Sequence, residues 1–204
     1  MILALTTYSL SGVKFEMTIF DRLAPIYDHL SRPVIPDLEK QVGKKIHLRE
    51  NDRILDVGGG TGRLMRIISK IQPKTRRFVV DRSKNMLKRT SSDDHAIIGS
   101  ASALPFESYK FDVVFSIDAL HHFEKIEKSL EEMIRVLRHE GEIIILELEA
   151  DNPLTRMVEI GERLLGEDSS FYEREKIIRV FHDKGFEVDI EKINFFQYIL
   201  HAKR

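Results

Sequence analysis

The chain of 204 residues contains no cysteine. The absence of thiols excludes disulfide bonds, thiolate metal sites and a cysteine nucleophile, and it is typical of proteins that stay in a reducing compartment. The chain also lacks any apolar run long enough to cross a bilayer, and its apolar start at residues 1–5 is too short for the core of a signal peptide. We therefore expect a cytoplasmic protein with no membrane span.

An excess of charge of either sign is missing as well. Lysine and arginine total 32 residues against 33 aspartates and glutamates, so the formal net charge is −1. This balance provides no overall positive field, which disfavours nucleic acid and anionic lipid as partners. The length and a hydrophobic content of 42% predict one globular domain with a substantial core. Nothing in the sequence indicates an oligomeric state.

From about residue 52 onward, short β-rich runs alternate with amphipathic helical stretches. This alternation predicts a mostly parallel α/β sheet with helices on both faces. The runs are nearly continuous in apolar residues, as in strands that are buried on both sides. A short gap between the last two runs predicts an antiparallel C-terminal hairpin, which completes a seven-stranded sheet. The predicted strands are residues 53–57, 77–81, 96–99, 111–117, 142–149, 187–190 and 195–201.

Two stretches outside this alternation look helical. Residues 18–49 precede the first strand and are interrupted by prolines, and residues 150–171 follow the fifth strand. We therefore divide the chain into an N-terminal helical segment or lid at residues 1–49 and a main domain at residues 50–204. Residues 150–171 form a substrate-lid insertion in this scheme, and residues 1–16 could be an appended start.

A glycine-rich turn, Asp-Val-Gly-Gly-Gly-Thr-Gly at residues 56–62, joins the first predicted strand to a helix. Glycines there allow positive φ angles and a close approach of the backbone to a ligand. Arg63 stands where the dinucleotide pattern has its third glycine. Asp56 would repel a pyrophosphate but suits the ammonium group of a methionine moiety. The two residues favour S-adenosylmethionine, although Asp56 could instead only cap the turn.

The second predicted strand ends in Asp81. A carboxylate at that place binds the two hydroxyls of a ribose in nucleoside-binding sheets. Arg82 follows it, and its aliphatic stem could cover the adenine ring or could lie in solvent. Both residues fit either cofactor, so they support nucleoside binding without choosing between a dinucleotide and S-adenosylmethionine.

Six segments then follow one another in a recognisable order. They are Phe-Asp-Arg-Leu-Ala-Pro-Ile-Tyr-Asp at residues 20–28, the turn at 55–62, Asp-Arg-Ser-Lys-Asn-Met-Leu at 81–87, Gly-Ser-Ala-Ser-Ala-Leu-Pro-Phe at 99–106, Phe-Asp-Val-Val-Phe-Ser-Ile at 111–117, and Val-Leu-Arg-His-Glu-Gly at 136–141. With these motifs the chain resembles the class I S-adenosylmethionine-dependent methyltransferases, in particular their ubiquinone/menaquinone-biosynthesis branch. The likeness is good over about residues 19–149 and looser beyond.

The resemblance implies a Rossmann-like class I methyltransferase fold, S-adenosylmethionine as the cofactor and a small-molecule methyl acceptor. It assigns Asp81 to the ribose hydroxyls, Ser100 and Ala101 to the adenine edge, and Tyr27 to a cover over the cofactor. Many relatives carry an acid or an amide in place of Ser100, so the adenine contact is less secure than that of Asp81. Further implied cofactor contacts are Asp56, Gly58, Gly60, Thr61, Leu104 and Ser116. The last two of these, and Tyr27, could equally be packed core residues.

Methyl transfer from a sulfonium needs positioning and exclusion of water more than it needs acid–base help. If the acceptor requires a general base, the candidates lie at the carboxyl ends of the fourth and fifth strands. These candidates are Asp118, His121, His122 and Glu147. The histidines show no spaced cluster with carboxylates, so we predict no metal site.

Two alternatives remain open. A nicotinamide-dependent oxidoreductase is disfavoured by Asp56, by Arg63 and by the terminal hairpin. A non-catalytic S-adenosylmethionine-binding protein would keep the same carboxylates, Asp56 and Asp81. A nucleic-acid methyltransferase is disfavoured because covalent cytosine-C5 chemistry needs a cysteine. Residues 151–171 do not reproduce the corresponding segment of the quinone-methylating branch, so the acceptor is predicted only as a small, hydrophobic molecule.

Overall fold

The computed structural model describes residues 7–10, 13–16, 19–25, 27–30, 38–167 and 169–204. The largest feature of this part of the chain is a single sheet at its centre. Its strands are β3 (Arg53–Val57), β4 (Arg76–Asp81), β5 (His95–Ile98), β6 (Phe111–Ile117), β7 (Leu137–Leu148), β8 (Glu187–Lys192) and β9 (Gln197–Lys203). They are ordered β5-β4-β3-β6-β7-β9-β8 in a seven-stranded sheet.

The sheet is parallel over its first five positions and antiparallel at its far edge. β3 pairs in parallel with β4 and β6, while β9 pairs antiparallel with both β7 and β8. In this register Asp56 lies opposite Val79 of β4 and Phe115 of β6. The predicted fold class, a mostly parallel seven-stranded Rossmann-like sheet with an antiparallel C-terminal hairpin, is confirmed.

Both faces of the sheet are covered, because alternate residues of one strand enter different apolar clusters. Leu55 and Val57 of β3 belong to one cluster, and Ile54 belongs to the other. All three side chains have no exposed surface. Burying one such side chain stabilises the fold by about 1.5–3 kcal/mol. This two-sided burial explains why the strands are continuous apolar runs rather than alternating ones.

Helices complete the two outer layers. Leu64 and Ile68 of α4 pack on the cluster that contains Ile54, whereas Leu130 of α6 and Phe181 of α8 pack on the opposite cluster. The described helices are α1 (Ile19–Leu23), α2 (Tyr27–Leu30), α3 (Leu38–Lys45), α4 (Arg63–Ile71), α5 (Lys84–Leu87), α6 (Ile126–Val136), α7 (Pro153–Leu164) and α8 (Arg174–Asp183), with a 3-10 helix at Leu120–His122.

The N-terminal part of the chain differs in one respect from its prediction. Helices α1, α2 and α3 lie within residues 18–49, as expected. Earlier in the chain, however, β1 (Thr7–Leu10) and β2 (Val13–Glu16) form a two-stranded antiparallel sheet where the N-terminal segment is predicted to be helical. Threonine, tyrosine, valine and phenylalanine in these two runs favour extended backbone.

β7 begins five residues before the predicted strand. Its first residue, Leu137, pairs with Phe111, and after an irregularity Glu142 pairs with Val113. A Cβ atom on Gly141 would lie 2.8 Å from the carbonyl oxygen of Asp112, so only glycine fits there without a shift. The bulge thus explains why position 141 is glycine, where the sequence alone indicates only the start of a turn.

Among the described residues, no helix is both long enough and apolar enough to span a membrane.

Candidate functional site

The carboxyl ends of β3, β4 and β6 meet at one edge of the sheet and open onto a cavity. Its volume is about 1000 Å³, including the part that is open to solvent. Ligands of open α/β sheets bind at this edge, where the strand order reverses, and here it reverses between β3 and β6. The predicted site residues that line this cavity are Tyr27, Asp56, Gly58, Gly60, Thr61, Asp81, Arg82, Asp118 and His122.

The glycine-rich turn after β3 is fixed to the neighbouring strand β4. The amides of Gly58 and Gly59 both donate to the carbonyl of Val80, at 2.8 and 3.2 Å. Gly58 has a φ of +75°, and a Cβ atom there would lie 2.7 Å from the Cβ of Ala119. Conformation and space therefore both require glycine, and bare backbone forms this wall of the cavity.

Asp81 ends β4 with both carboxylate oxygens held by backbone amides. Gly60 donates to Oδ2 and Ser83 donates to Oδ1, each at 2.8 Å. Burial raises the pKa of Asp81, and these two hydrogen bonds oppose that rise. A carboxylate oxygen can accept more than one hydrogen bond. The fixed carboxylate is therefore suited to a pair of ribose hydroxyls.

Asp56 lines the same cavity, but its side chain is 2% exposed. Its Oδ1 atom has no hydrogen-bond partner among the described residues. Burial, with a smaller contribution from Asp81, raises the pKa of Asp56 to about 8. A buried carboxylate is costly unless a cation lies against it. The ammonium group of a methionine moiety is such a cation, so the residue fits S-adenosylmethionine.

The N-terminal helices are tied to the glycine turn by a polar network that the sequence did not reveal. Thr61 Oγ1 donates to Asp28 Oδ1 at 2.5 Å, and the guanidinium of Arg66 contacts the other oxygen of the same carboxylate. Arg66 also donates to the carbonyl of Thr61 at 2.6 Å. The network places Tyr27 in the cavity wall, where its ring meets Phe20 edge to face.

A second anchor holds α1. Ser83 Oγ donates to Asp21 Oδ1 at 2.6 Å, and the amide of Asn85 donates to the same oxygen at 3.2 Å. Asp21 is 5% exposed. The sequence signal for this contact is the acid in the motif at residues 20–28, but only the fold shows what that acid reaches.

A smaller cavity of about 370 Å³ adjoins the first one beyond Asp81. Ser100 and Ala101 line it, as predicted for the adenine side. Ser100 Oγ lies 3.1 Å from Ser102 Oγ. Arg82 lines both cavities, and its guanidinium pairs with Glu124 at 2.6 Å on the surface.

Two predicted cofactor contacts lie behind the walls of these cavities. Leu104 is 5% exposed and belongs to the apolar core. Ser116 has no exposed surface, and its hydroxyl donates to the carbonyl of Val57 at 3.1 Å. Neither residue lines either cavity. Their direct contact with the cofactor stays a prediction.

The four predicted catalytic candidates, Asp118, His121, His122 and Glu147, lie together at the carboxyl ends of β6 and β7. His121 Nδ1 and Glu147 Oε1 are 2.9 Å apart, with both side chains at most 3% exposed. Burial lowers the pKa of His121, but the charges of Glu147, Asp118 and Glu162 outweigh burial and raise it to about 9. Of the four candidates, His122 and Asp118 line the large cavity.

His122 differs from its neighbour in its electrostatics. Burial, and then the proximity of His121, lowers the pKa of His122 well below its usual range. Burial raises the pKa of Asp118, at the end of β6, to about 6. Glu162 of α7 also approaches both histidines, which the sequence did not indicate. The ring of His121 stacks on Phe171 with centroids 4.4 Å apart.

Comparisons with known proteins agree with this geometry. Residues 55–145 match the family model described as a methyltransferase domain. The chain is 30% identical over 166 residues to a demethylmenaquinone methyltransferase of Thermotoga maritima, covering 78% of this chain and 69% of that protein. It is 28% identical over 158 residues to a ubiquinone/menaquinone biosynthesis C-methyltransferase of Proteus mirabilis, covering 67% and 63%. The chain thus spans about two thirds of these relatives.

Solved structures share the fold at low sequence identity. A SAM-dependent methyltransferase from Aquifex aeolicus superposes with a TM-score of 0.70 at 18% identity, covering 89% of this chain and 97% of that one. A phosphoethanolamine N-methyltransferase of Haemonchus contortus, solved with S-adenosyl-L-methionine, superposes with a TM-score of 0.73 at 15% identity, covering 90% and 57%. At these identities the likeness establishes the architecture.

Proposed function

Because the chain belongs to the class I S-adenosylmethionine-dependent methyltransferases, we propose that the cavity beside the glycine turn transfers the methyl group of this cofactor to a small, hydrophobic acceptor. One observation carries the assignment of the cavity. Asp56, a buried carboxylate whose Oδ1 has no hydrogen-bond partner among the described residues, and Asp81, a carboxylate fixed by two amides, line it together. The pair matches an ammonium group and a ribose diol, which S-adenosylmethionine carries on the two sides of its sulfonium sulfur.

The cofactor supplies a methyl group that is already activated by the positive charge on sulfur, so the chain has mainly to position it. Gly58 and Gly60 allow the cofactor to approach the backbone closely, and Thr61 lines the cavity just before the start of α4. Tyr27 covers the cofactor from the N-terminal side, held there by the hydrogen bond between Thr61 and Asp28. Ser100 and Ala101, in the adjoining cavity, take the adenine end. This arrangement excludes water from the reacting atoms.

We take the acceptor end of the cavity to be the part with apolar walls away from the adenine side. These walls include Phe20, Leu38 and Ile117. Such a lining suits a hydrophobic ring. The relatives named above act on demethylmenaquinone or in the biosynthesis of ubiquinone and menaquinone. We propose an aromatic or quinone-like acceptor for this chain.

Of the four catalytic candidates, His122 and Asp118 line the cavity and can face the acceptor, whereas His121 and Glu147 lie behind it. His121 and Glu147 are hydrogen-bonded to each other. The rings of the two histidines are 4.0 Å apart at their centroids. We therefore assign His121 and Glu147 an indirect role, through the ring contact that helps to orient His122.

Calorimetric titration of the full chain with S-adenosylmethionine tests the assignment of the cavity. We expect one site per chain, weakened by about tenfold or more in Asp81→Ala, since a hydrogen bond to a charged group contributes about 1.5–3 kcal/mol. Asp93→Ala removes an exposed carboxylate away from both cavities and should leave the affinity unchanged. Binding of NADH with none of S-adenosylmethionine would overturn the proposal.

The non-catalytic alternative needs a second measurement. Transfer of a labelled methyl group to a panel of short-chain quinols and phenols should give product with at least one of them. Binding of S-adenosylmethionine by the same sample without any transfer would favour a binding protein over an enzyme.

A further inference from the structure

Two histidines and a glutamate converge beside the acceptor end of the cavity. His121 and His122 belong to the 3-10 helix after β6, and Glu162 belongs to α7. The Nε2 atom of His121 lies 3.9 Å from Glu162 Oε1, and that of His122 lies 4.0 Å from the same oxygen. Candidate ligand atoms of the three residues all lie within 4.8 Å of one another.

The other ring nitrogen of each histidine already faces a protein atom. His121 Nδ1 lies 2.9 Å from Glu147 Oε1, and His122 Nδ1 lies 3.3 Å from Ser169 Oγ. Histidines that bind metals almost always engage one nitrogen in this way, because the second partner fixes the ring orientation and the tautomer. Both rings therefore direct Nε2 toward Glu162.

Buried oxygens of the same group are left without hydrogen bonds. Glu162 Oε2 and Glu147 Oε2 are both inaccessible to solvent and have no partner among the described residues. Asp118 adds a third carboxylate, within 4.8 Å of His121 and Glu147. The three carboxylates outnumber the one proton that His121 carries. A divalent cation that takes the place of this proton would therefore offset more of their charge.

We propose that His121, His122 and Glu162 bind one divalent transition-metal ion, such as Zn²⁺. Two imidazole nitrogens and one carboxylate oxygen are ligands that zinc and its neighbours in the first transition row accept, with positions left open for a further ligand. Two ligands of a tetrahedral ion with bonds of about 2.1 Å are about 3.4 Å apart. The present separations of 3.9 and 4.0 Å would close to that value by a shift of about half an ångström at Glu162.

The place of the ion gives it a role in acceptor recognition, and this step rests on the proposed function. His122 and Asp118 line the cavity, so an ion on His122 faces the end where the acceptor lies. Its open position would select acceptors that present an oxygen, such as a phenol, a quinol or a ring carbonyl, at a set distance from the methyl donor.

The test uses the full chain, freed of metal by a chelator and titrated with Zn²⁺ in a calorimeter. We expect one equivalent to bind with a dissociation constant at or below about 10 µM, and Co²⁺ to give visible absorption bands typical of low coordination. Glu162→Gln should weaken Zn²⁺ binding by about tenfold or more. Glu159→Gln is the matched control. Glu159 lies on the same helix as Glu162, but its carboxylate pairs with Arg163 and not with the histidines.

His122→Ala provides a second variant, and a thermal melt of each variant shows that it is folded. No binding of Zn²⁺ at millimolar concentration would overturn the inference. An affinity unchanged in both Glu162→Gln and His122→Ala would overturn it too, since the ion would then sit elsewhere, for instance at His201 and Glu142. S-adenosylmethionine is titrated into the same samples. Its binding without Zn²⁺ binding defeats this inference alone, whereas failure of S-adenosylmethionine to bind defeats the proposed function.

Discussion

The proposed donor side and the proposed acceptor side of the cavity are built in different ways. On the donor side, the functional groups lie within or directly after β3 and β4, and backbone hydrogen bonds from Gly58, Gly59 and Gly60 join the two strands. On the acceptor side, His121 and Glu162 come from separate helices 41 positions apart, and the apolar residues of α7 are largely exposed. The first region is fixed by the sheet, and the second depends on how a peripheral helix packs.

Two glycine substitutions test this contrast most strongly. Gly58→Ala places a side chain at a φ of +75° and 2.7 Å from Ala119, so we expect the free energy of unfolding to fall by about 2–4 kcal/mol and cofactor binding to be lost. Gly161 lies inside α7, and a Cβ atom added there would have no atom within 4 Å apart from the backbone of its own helix. Gly161→Ala therefore meets no obstacle. It should raise stability by about 0.5–1 kcal/mol. Urea unfolding of both variants measures the difference, and equal effects would contradict a rigid donor side.

The second prediction concerns the pH dependence of donor binding. In the ligand-free protein the pKa of Asp56 is raised to about 8, so the carboxyl is protonated below that pH. A cationic ligand favours the ionised form, and binding therefore releases a proton. From pH 5.5 to 7 the affinity for S-adenosylmethionine should rise by up to about tenfold per pH unit. Calorimetry across this range, in buffers of different ionisation enthalpy, measures both the affinity and the proton release.

Asp56→Asn is the matched variant for this experiment, because the amide cannot ionise. Its affinity should be lower and nearly independent of pH. The raised pKa also has a consequence for folding without ligand. Because Asp56 holds its proton more tightly in the folded chain, it adds to the free energy of unfolding. This contribution is complete below the pKa of Asp56 in the unfolded chain, about 4, and is lost as the pH rises through about 8. A pH profile of affinity that is as flat in the natural chain as in Asp56→Asn would show that the ammonium group lies elsewhere.

A smaller effect is expected where the N-terminal helices join the donor side. Asp28→Ala removes the partner of Arg66 and of Thr61, and Thr61 lines the cavity. Asp28 and Arg66 are 43% and 37% exposed, so the loss of stability should be about 1 kcal/mol or less. The affinity for S-adenosylmethionine should fall a few-fold, because Tyr27 loses its anchor. Lys74→Ala, which breaks an exposed ion pair with Glu50 far from the cavity, should leave the affinity unchanged.

The same contrast explains how far the sequence could predict the molecule. Some features can be predicted from a few neighbouring residues, namely the strand at residues 53–57, the glycine turn after it and Asp81. The structure has a strand at 53–57, and residues of the turn and Asp81 line the cavity. Glu162 carries no such local signal. Its meeting with His121 depends on how α7 packs at the sheet edge, so spacing in the chain could not indicate it.

The polar contacts of the N-terminal helices were missed for a related reason. Asp21 and Asp28 belong to a motif that was recognised, but their partners Ser83 and Arg66 lie 62 and 38 positions away. Pairings at such distances are determined by the packing of elements rather than by spacing in the chain. The early start of β7 at Leu137 has the same origin, because pairing across a bulge with Phe111 extends it.

The smallest effect on stability is expected on the outer face of α7. Leu164 is 84% exposed, so Leu164→Ser should change the free energy of unfolding by less than about 0.5 kcal/mol. If this face covers a hydrophobic acceptor, the substitution should instead raise the KM for the acceptor severalfold while the affinity for S-adenosylmethionine stays constant. Ile71→Ser, at the exposed end of α4 on the donor side, is the control and should leave that KM unchanged. Equal KM values in the two variants would mean that the exposed apolar residues of α7 neither stabilise the fold nor contact the acceptor. The acceptor would then be bound by the inner walls of the cavity alone.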